Sequence, residues 1–259
     1  MQIATFNVNS VRARLSLVER WLTETQPDVA VLQEIKCEDE KFPLSELSAL
    51  GYECHIHGQK SYNGVAILSK IPCQDVHKGW GDFANPFDDD RRILRAVVNG
   101  VCVVNTYVPN GNAVGNEKWV YKMAWLEHFA GFLAHLQAQY DDVIWLGDIN
   151  IAPTALDVYE AEKKVGDVGH HPDEWSRLAK ITDLSLTDCY RKFTSEPGGY
   201  TFYDFRLPSS VKRGLGWRID HIYATPALAA ACTHCDVQTE WREQEKPSDH
   251  CPVVATFDR

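Results

Sequence analysis

The sequence has no run near the ~18 consecutive apolar residues that a membrane span needs, and its first apolar stretch, from Gln2, follows no basic leader. These absences point to a soluble, unexported protein. It also lacks any Pro/Gly/Ser-rich linker, solenoid-period repeat or low-complexity tract, so one domain over residues 1–259 is the simplest organisation. Closely spaced cysteine pairs are scarce. The eight cysteines are dispersed, and Cys102 and Cys232 fall in apolar strand-like runs. Cys232-Thr233-His234-Cys235 has no matching second pair and reads as ordinary strand rather than a zinc site. A chain this long needs no disulfide staples, so reduced thiols in a cytoplasm are expected. Positive charge is in deficit: the formal net charge is −10, which opposes a polyanionic partner if bulk charge decides the matter. Distribution matters more. Lys and Arg gather at Arg12/Arg14, Arg91/Arg92/Arg95, Lys192 and from Arg206 to Arg218, and acids in Glu38-Asp39-Glu40 and Asp88-Asp89-Asp90. Taken alone, such runs are solvated surface.

What is present is a series of apolar runs ending in polar residues. Val143-Ile144-Trp145-Leu146 reads as a buried strand that delivers Gly147-Asp148-Ile149-Asn150 to a turn closed by Pro153. If the backbone stays extended past Gly147, Asp148 and Asn150 face one site together; a local Asx turn is the plainer alternative. The alternation from Gln2 to Val8 predicts a half-buried strand. Ser10 is placed to cap a helix running to about Thr25, with Val11, Leu15, Val18 and Leu22 as its apolar stripe. Val29–Leu32 predicts a second buried strand, ending in Gln33-Glu34. Short strands follow at Tyr52–His57, Gly64–Ser69, Cys73–His77, Ile93–Val98 and Val101–Val108, the last two joined by Asn99-Gly100, a strong hairpin signal. A long helix is expected from about Lys118 to Tyr140, further helical stretches at Ala155–Lys164 and Asp173–Leu184, and late strands at Tyr200–Tyr203, Arg218–Ala224, Cys232–Thr239 and Val253–Phe257. The expected fold is α/β: two mixed sheets packed face to face, helices on the outer faces, a four-layered sandwich.

Strand ends carry polar side chains at Asn7 and Asn9, Glu34, Tyr107, Asp148 and Asn150, Asp220, and Asp249-His250. Each alone has a dull explanation in a turn or a packed ring. Together they suit phosphodiester hydrolysis, which needs an activated water, donors for charge developing on phosphoryl oxygens, and help for the leaving oxygen. Oxygen donors without clustered Cys or His favour a hard cation, Mg²⁺ or Mn²⁺, at Glu34 with Asn9 and Asp249. Asp148 would orient or deprotonate water, and Asn150 would hold the phosphate or that aspartate. His250, paired with Asp220 or Asp249, would donate to a non-bridging oxygen. Tyr107 would do the same or meet the leaving group.

Phe6-Asn7-Val8-Asn9-Ser10, Leu32-Gln33-Glu34-Ile35-Lys36, Tyr62-Asn63-Gly64 through Ser69, Tyr107-Val108-Pro109-Asn110-Gly111, Gly147 through Pro153, Trp217-Arg218-Ile219-Asp220 and Pro247-Ser248-Asp249-His250 resemble, in order, the motifs of the exonuclease III family of apurinic/apyrimidinic (AP) endonucleases. That family lies in the endonuclease/exonuclease/phosphatase superfamily and has a DNase I-like fold. The resemblance implies a divalent metal at Glu34, assisted by Asn9 and Asp249, and an Asp148 that orients the nucleophile, supported by Asn7. Asn150, Tyr107 and His250 would embrace the scissile phosphate, with Asp220 orienting His250. Arg12, Lys36, Tyr62, Asn63, Gly64, Asn110 and Arg206 would touch DNA. Phe202, Trp217 and Ile219 would wall a pocket for an extruded abasic sugar. Phe6, Ser10, Ile149 and the Tyr200–Phe205 aromatics depart from common family residues without removing a charge or ligand.

The implied function is monomeric, metal-dependent cleavage of double-stranded DNA 5′ to abasic sites, leaving a 3′-hydroxyl, with trimming of blocked 3′ ends. One alternative is a relative acting mainly as 3′-phosphatase or 3′-exonuclease. Another is a superfamily phosphatase or phospholipase, which would not need the aromatic pocket or the basic loop from Arg206 to Arg218. A catalytically silent DNA-binding relative would have lost metal or base residues, and none is lost here.

Overall fold

The computed structural model describes residues 1–87 and 90–259. Asp88 and Asp89 of the acidic run noted above lie outside the described residues. In chain order the elements are β1 (Gln2–Asn7), α1 (Leu15–Thr25), β2 (Val29–Gln33), α2 (Leu44–Ser48), β3 (Glu53–His57), β4 (Val65–Ser69), β5 (Cys73–Lys78), β6 (Ile93–Val98), β7 (Val101–Tyr107), α3 (Glu117–Gln137) and β8 (Val143–Asp148). Then come α4 (Ala161–Lys164), α5 (Pro172–Thr182), β9 (Thr187–Asp188), β10 (Asp220–Ala224), α6 (Pro226–Ala231), β11 (Cys232–Val237) and β12 (Val253–Phe257). Two six-stranded sheets form, ordered β11-β12-β1-β2-β4-β3 and β5-β6-β7-β8-β10-β9.

The strands read as continuous apolar runs because both faces of each central strand are covered. Ile3, Val29, Val31, Val103, Ile144 and Leu146 point between the sheets. Their alternates Ala4, Phe6, Ala30 and Leu32 meet Val18, Trp21 and Leu22 of α1, and Val104, Val143 and Trp145 meet Trp125, Phe129 and Leu133 of α3. The result is the expected four-layered sandwich. Among the described residues only β1–β2 and β7–β8 are parallel pairs, bridged by α1 and α3, since parallel neighbours need a crossover. Asn99 (φ 49°) and Gly100 (φ 78°) make the β6–β7 hairpin, the two left-handed residues that a tight I′ turn demands.

This topology places the site. The C-terminal ends of β1, β2, β7 and β8 reach one edge of the sandwich, and the antiparallel partners β10 and β12 begin there. Beneath that edge the sheets are pinned by buried amides: Gln33 Nε2 donates to Asn105 Oδ1 (2.8 Å), and Asn105 Nδ2 donates to Leu32 O and Ala66 O.

Three sequence expectations are corrected. The first helix starts at Leu15 rather than beside Ser10, because Asn9 and Ser10 are left-handed and Arg14 folds back onto Asn9 O and Pro247 O. Ser10 Oγ still accepts from Ala13 N at 3.4 Å, but over a turn. The stretch Ala155–Lys164 is not one helix; a 3-10 turn at Ala155–Asp157 and α4 flank Glu160 at φ 48°. Tyr200–Tyr203 is not a ladder strand, since only Phe202 bridges, to Trp217 and His250. Among the described residues all eight cysteines are free thiols, and Cys232 and Cys235 sit in β11. No helix there is long and apolar enough to cross a membrane.

Candidate active site

Asn7, at the end of β1, joins the two halves of the site. Its Nδ2 donates to Glu34 Oε1 at 2.9 Å and to Asp148 Oδ2 at 2.8 Å. One buried amide thus holds carboxyl groups from different sheets in register. Asn7 is kept in place by Ser248 Oγ, which donates to Asn7 O at 2.7 Å.

Asp148 can end β8 because residue 147 is glycine. Gly147 has φ 138°, and a Cβ there would lie 2.0 Å from Thr106 O of the parallel neighbour, so no side chain fits. Past this point the chain does not stay extended: Asn150 is left-handed (φ 55°), and its N–H donates to Asp148 Oδ1 at 3.0 Å. The local Asx-type bond and the shared pocket, weighed as alternatives in the sequence, coexist. Asp148 Oδ1 serves the turn while Oδ2 faces Asn7 and His250. Asn150 itself is firmly held, with Nδ2 on Val108 O (3.0 Å) and Oδ1 receiving Asn110 Nδ2 (2.9 Å). An amide has two N–H donors, so one remains for a ligand.

His250 Nδ1 hydrogen-bonds Asp220 Oδ2 at 2.7 Å, and Nε2 lies 3.8 Å from Asp148 Oδ2. Asp220, not Asp249, is thus the partner of His250. Burial disfavours the imidazolium, but Asp220 and then Asp148 outweigh it and hold the His250 pKa up at about 10. Burial also raises the Asp148 pKa, to about 8, against the pull of the His250 charge. The pair therefore combines a charged donor with a carboxylate far more basic than usual. Burial, then the charges of Glu34 and Asp148, push the Tyr107 phenol well above its ordinary value, leaving it a proton donor at neutral pH.

Hard oxygen donors cluster beside this pair. Asn9 Nδ2 donates to Asp249 Oδ1 (2.9 Å), and Lys36 Nζ bridges Asn9 Oδ1 (2.6 Å) and Glu34 Oε2 (2.7 Å). The ammonium marks a place where these oxygens seek positive charge, and the donor chemistry fits Mg²⁺ or Mn²⁺ at Glu34. Ligand atoms of Glu34, Asp148 and His250 also lie within 4.8 Å of one another. Asn9 (φ 44°), Glu34 (φ 50°) and Lys36 (φ 53°) are all left-handed. Such conformations cost about 1–3 kcal/mol each for non-glycine residues and concentrate at functional sites.

Glu34, Tyr107, Asn150, Asp148, His250 and Asp249 line a cavity of about 720 Å³ whose other wall includes Phe202, Trp217 and Ile219. Thr201, unremarked in the sequence, builds that wall. Its Oγ1 accepts from Ile219 N and Asp220 N at 3.0 Å each, and its carbonyl accepts from Cys251 N at 2.6 Å. Lys122 and Glu174 were equally invisible. The Lys122 ammonium, fully buried, donates to Glu174, to Asn150 O (2.8 Å) and to Asn110 O (3.2 Å), while Glu174 receives Gly169 N and His171 N. Burial lowers the Lys122 pKa and raises that of Glu174; the pair works against desolvation, and its contribution is to tie three site loops together.

The residues expected on DNA are placed unevenly. Arg12 and Tyr62 are exposed. Lys36 turns inward to Glu34, and Asn110 is bonded to Asn150. Asn63 Nδ2 donates to Gln59, and Gly64 is a buried backbone junction bonded to Ile35 and Arg91. Arg206 is exposed but forked onto Asp204 at 2.6–3.0 Å. The basic loop needs a correction at its end, because Arg218 is buried, with Nε on Asp157 Oδ1 and Nη2 on Asp188 Oδ2 at 2.7 Å each. Arg95 is also buried, and Lys192 Nζ donates to the carbonyls of Ala229 and Cys232. These cations serve the fold; Lys212 and Arg213 remain exposed.

A buried carboxylate of raised basicity, an imidazolium, a phenol and an amide converging beside hard oxygen ligands can activate water and neutralise phosphoryl charge. The endonuclease/exonuclease/phosphatase family model matches residues 4–250. Exodeoxyribonuclease III of Haemophilus influenzae is 32% identical over 99% of this chain and all of its own. An AP endonuclease from Archaeoglobus fulgidus superposes with a TM-score of 0.94 at 42% identity, and a Neisseria 3′ phosphatase bound to product DNA hairpin with 0.96 at 41%, each covering both chains completely. The chain, its motifs in order and its carboxylates gathered by Asn7, belongs to the exonuclease III branch of the endonuclease/exonuclease/phosphatase family.

Proposed function

We propose that the protein is a DNA-repair nuclease that hydrolyses the phosphodiester 5′ to an abasic site, leaving a 3′-hydroxyl, and that also trims blocked 3′ ends. The observation that carries this reading is the joining of the Asp148–His250 pair to an apolar wall, Phe202, Trp217 and Ile219, in one cavity. An apolar recess beside phosphate chemistry suits a sugar without a base, which leaves the stack at little cost. A superfamily enzyme acting on a small phosphate would have no use for that wall.

In this mechanism Asp148, oriented by Asn7, takes the proton of the attacking water. His250, held by Asp220 through Nδ1, presents Nε2–H to a non-bridging oxygen, and the free N–H of Asn150 reaches another. Tyr107 donates toward the leaving side. Glu34, with Asn9 and Asp249, would hold Mg²⁺ or Mn²⁺, which supplies electrostatic stabilisation of phosphoryl and leaving-group charge. Lys36, which bridges Glu34 and Asn9, would neighbour both that cation and the DNA path. Arg12, Tyr62, Asn63 and Arg206 flank the DNA path. Every group in the scheme comes from one chain, which supports action as a monomer.

A second reading is favoured by the Neisseria 3′ phosphatase among the full-length matches: the same chemistry directed mainly at 3′-phosphates. Rates on an abasic duplex, a recessed 3′ end and a 3′-phosphate end, with Mg²⁺, separate the two. Cleavage of the abasic duplex as the fastest reaction is expected. Turnover confined to the 3′ ends would establish the second reading.

A further inference from the structure

A second cluster of metal-ligating side chains lies away from the active site, where the two sheets meet at their edges. β3 is the edge strand of one sheet and β5 of the other. Along β3, Cys54 and Ile56 face the outer apolar layer, so Glu53, His55 and His57 share the opposite face, toward the second sheet. An inward strand face is ordinarily apolar, as on Val29, Val31, Val65 and Ile67 nearby. Here it offers a carboxylate and imidazoles instead. Glu53 pairs with Ser69, which in turn pairs with Val29 at the start of β2. The cluster therefore sits at the end of the sandwich opposite Glu34.

Cys73, first residue of β5, completes the group. Its N–H donates to Glu53 Oε2 at 3.3 Å, so the backbone already joins the two edges. His55 Nε2 stands 3.1 Å from Glu53 Oε1, an ion-pair contact when the imidazole is protonated, but this nitrogen has no hydrogen-bond partner. A buried nitrogen left unsatisfied is costly in a native protein and calls for a ligand or a role. One ligand atom from each of Glu53, His55 and Cys73 lies within 4.8 Å of the others. The Glu53 side chain is half exposed and that of His55 about a fifth exposed, which leaves an entry path and room for a water as fourth ligand.

We propose that Glu53, His55 and Cys73 form a binding site for Zn²⁺ that clips the edge strands of the two sheets. The donor set selects the metal: thiolate, imidazole and one carboxylate suit zinc, whereas Mg²⁺ wants an octahedron of oxygens and would keep to Glu34. Binding forms the Zn–S bond and releases the thiol proton to solvent.

The test titrates the full-length protein with Co²⁺ in excess Mg²⁺, following the thiolate-to-cobalt charge-transfer band, and then displaces Co²⁺ with Zn²⁺. Wild type is expected to develop the band with one equivalent and to lose it to zinc. C73S should show no band, H55A should weaken binding by at least the roughly tenfold that lesser changes around zinc sites cause, and C232S should behave as wild type. Zinc should raise the melting temperature of wild type and not of C73S, while C73S cleaves DNA normally. Absence of a thiolate band in wild type, a band unchanged in C73S, or undiminished affinity in H55A would each overturn the site.

Discussion

His250 Nε2 and Asp148 Oδ2 face each other across 3.8 Å, beyond hydrogen-bond reach but close enough for a single oxygen to contact both. The separation follows from their supports. Asn7 holds Asp148 from the β1 side, and Asp220 holds His250 by its other nitrogen. Each side chain is thus fixed by a partner from the opposite sheet, while the β8–β10 register sets Asp148 beside Asp220.

Replacing Arg218 by leucine should destabilise the fold by about 3–5 kcal/mol, the usual cost of leaving a buried charge unpaired. Burial would raise Asp157 and Asp188, but Arg218 outweighs it and holds both below the ordinary carboxylate range. Groups of lowered pKa stabilise fully above their unfolded value, about 4, and lose that contribution as pH falls through their folded values. The deficit of R218L relative to wild type should therefore be largest at neutral pH and shrink toward pH 3. Urea denaturation at both pH values measures this; an equal deficit would assign the effect to lost packing.

Trp217→Ala and Phe202→Ala should lose activity on an abasic duplex while largely sparing hydrolysis of a 3′-phosphate. Widening an apolar pocket removes selection by volume and leaves the phosphate chemistry in place. Phe202 does pack 5.1 Å from the His250 ring, so Trp217 is the cleaner probe. Equal losses on both substrates, in folded variants, would make these rings ordinary core.

DNA binding should weaken steeply with salt despite the net charge of −10. About three phosphate contacts, from Arg12, Lys212 and Arg213, imply roughly a 40-fold loss between 50 and 200 mM salt. Fluorescence anisotropy with an abasic duplex reads the slope. A flat response would favour a small-molecule phosphate substrate.

Much of this was legible in the sequence because it is local. Apolar runs with polar ends gave the strands, Asn99-Gly100 the hairpin, and the ordered motifs the residues that meet around Asn7. What escaped depends on partners distant in sequence. Arg218 reads as part of a basic loop until Asp157 and Asp188 are found around it. Ser10 reads as a helix cap until Arg14 is seen tied to Pro247 across the fold. Lys122 lies in a helical stretch like any solvated lysine, yet it points inward to Glu174, 52 residues later. Glu53, His55 and Cys73 meet only because two edge strands from different sheets run side by side.

The most direct measurement is single-turnover cleavage of an abasic duplex by wild type and Asp148→Asn, each with Mg²⁺ and after EDTA, alongside binding of the same DNA. The account predicts that wild type cuts only with the cation, and that Asp148→Asn binds normally but reacts about 10²–10⁴-fold more slowly, the usual loss on removing a general base. Cleavage by the metal-free protein, or near wild-type turnover by Asp148→Asn, would contradict it.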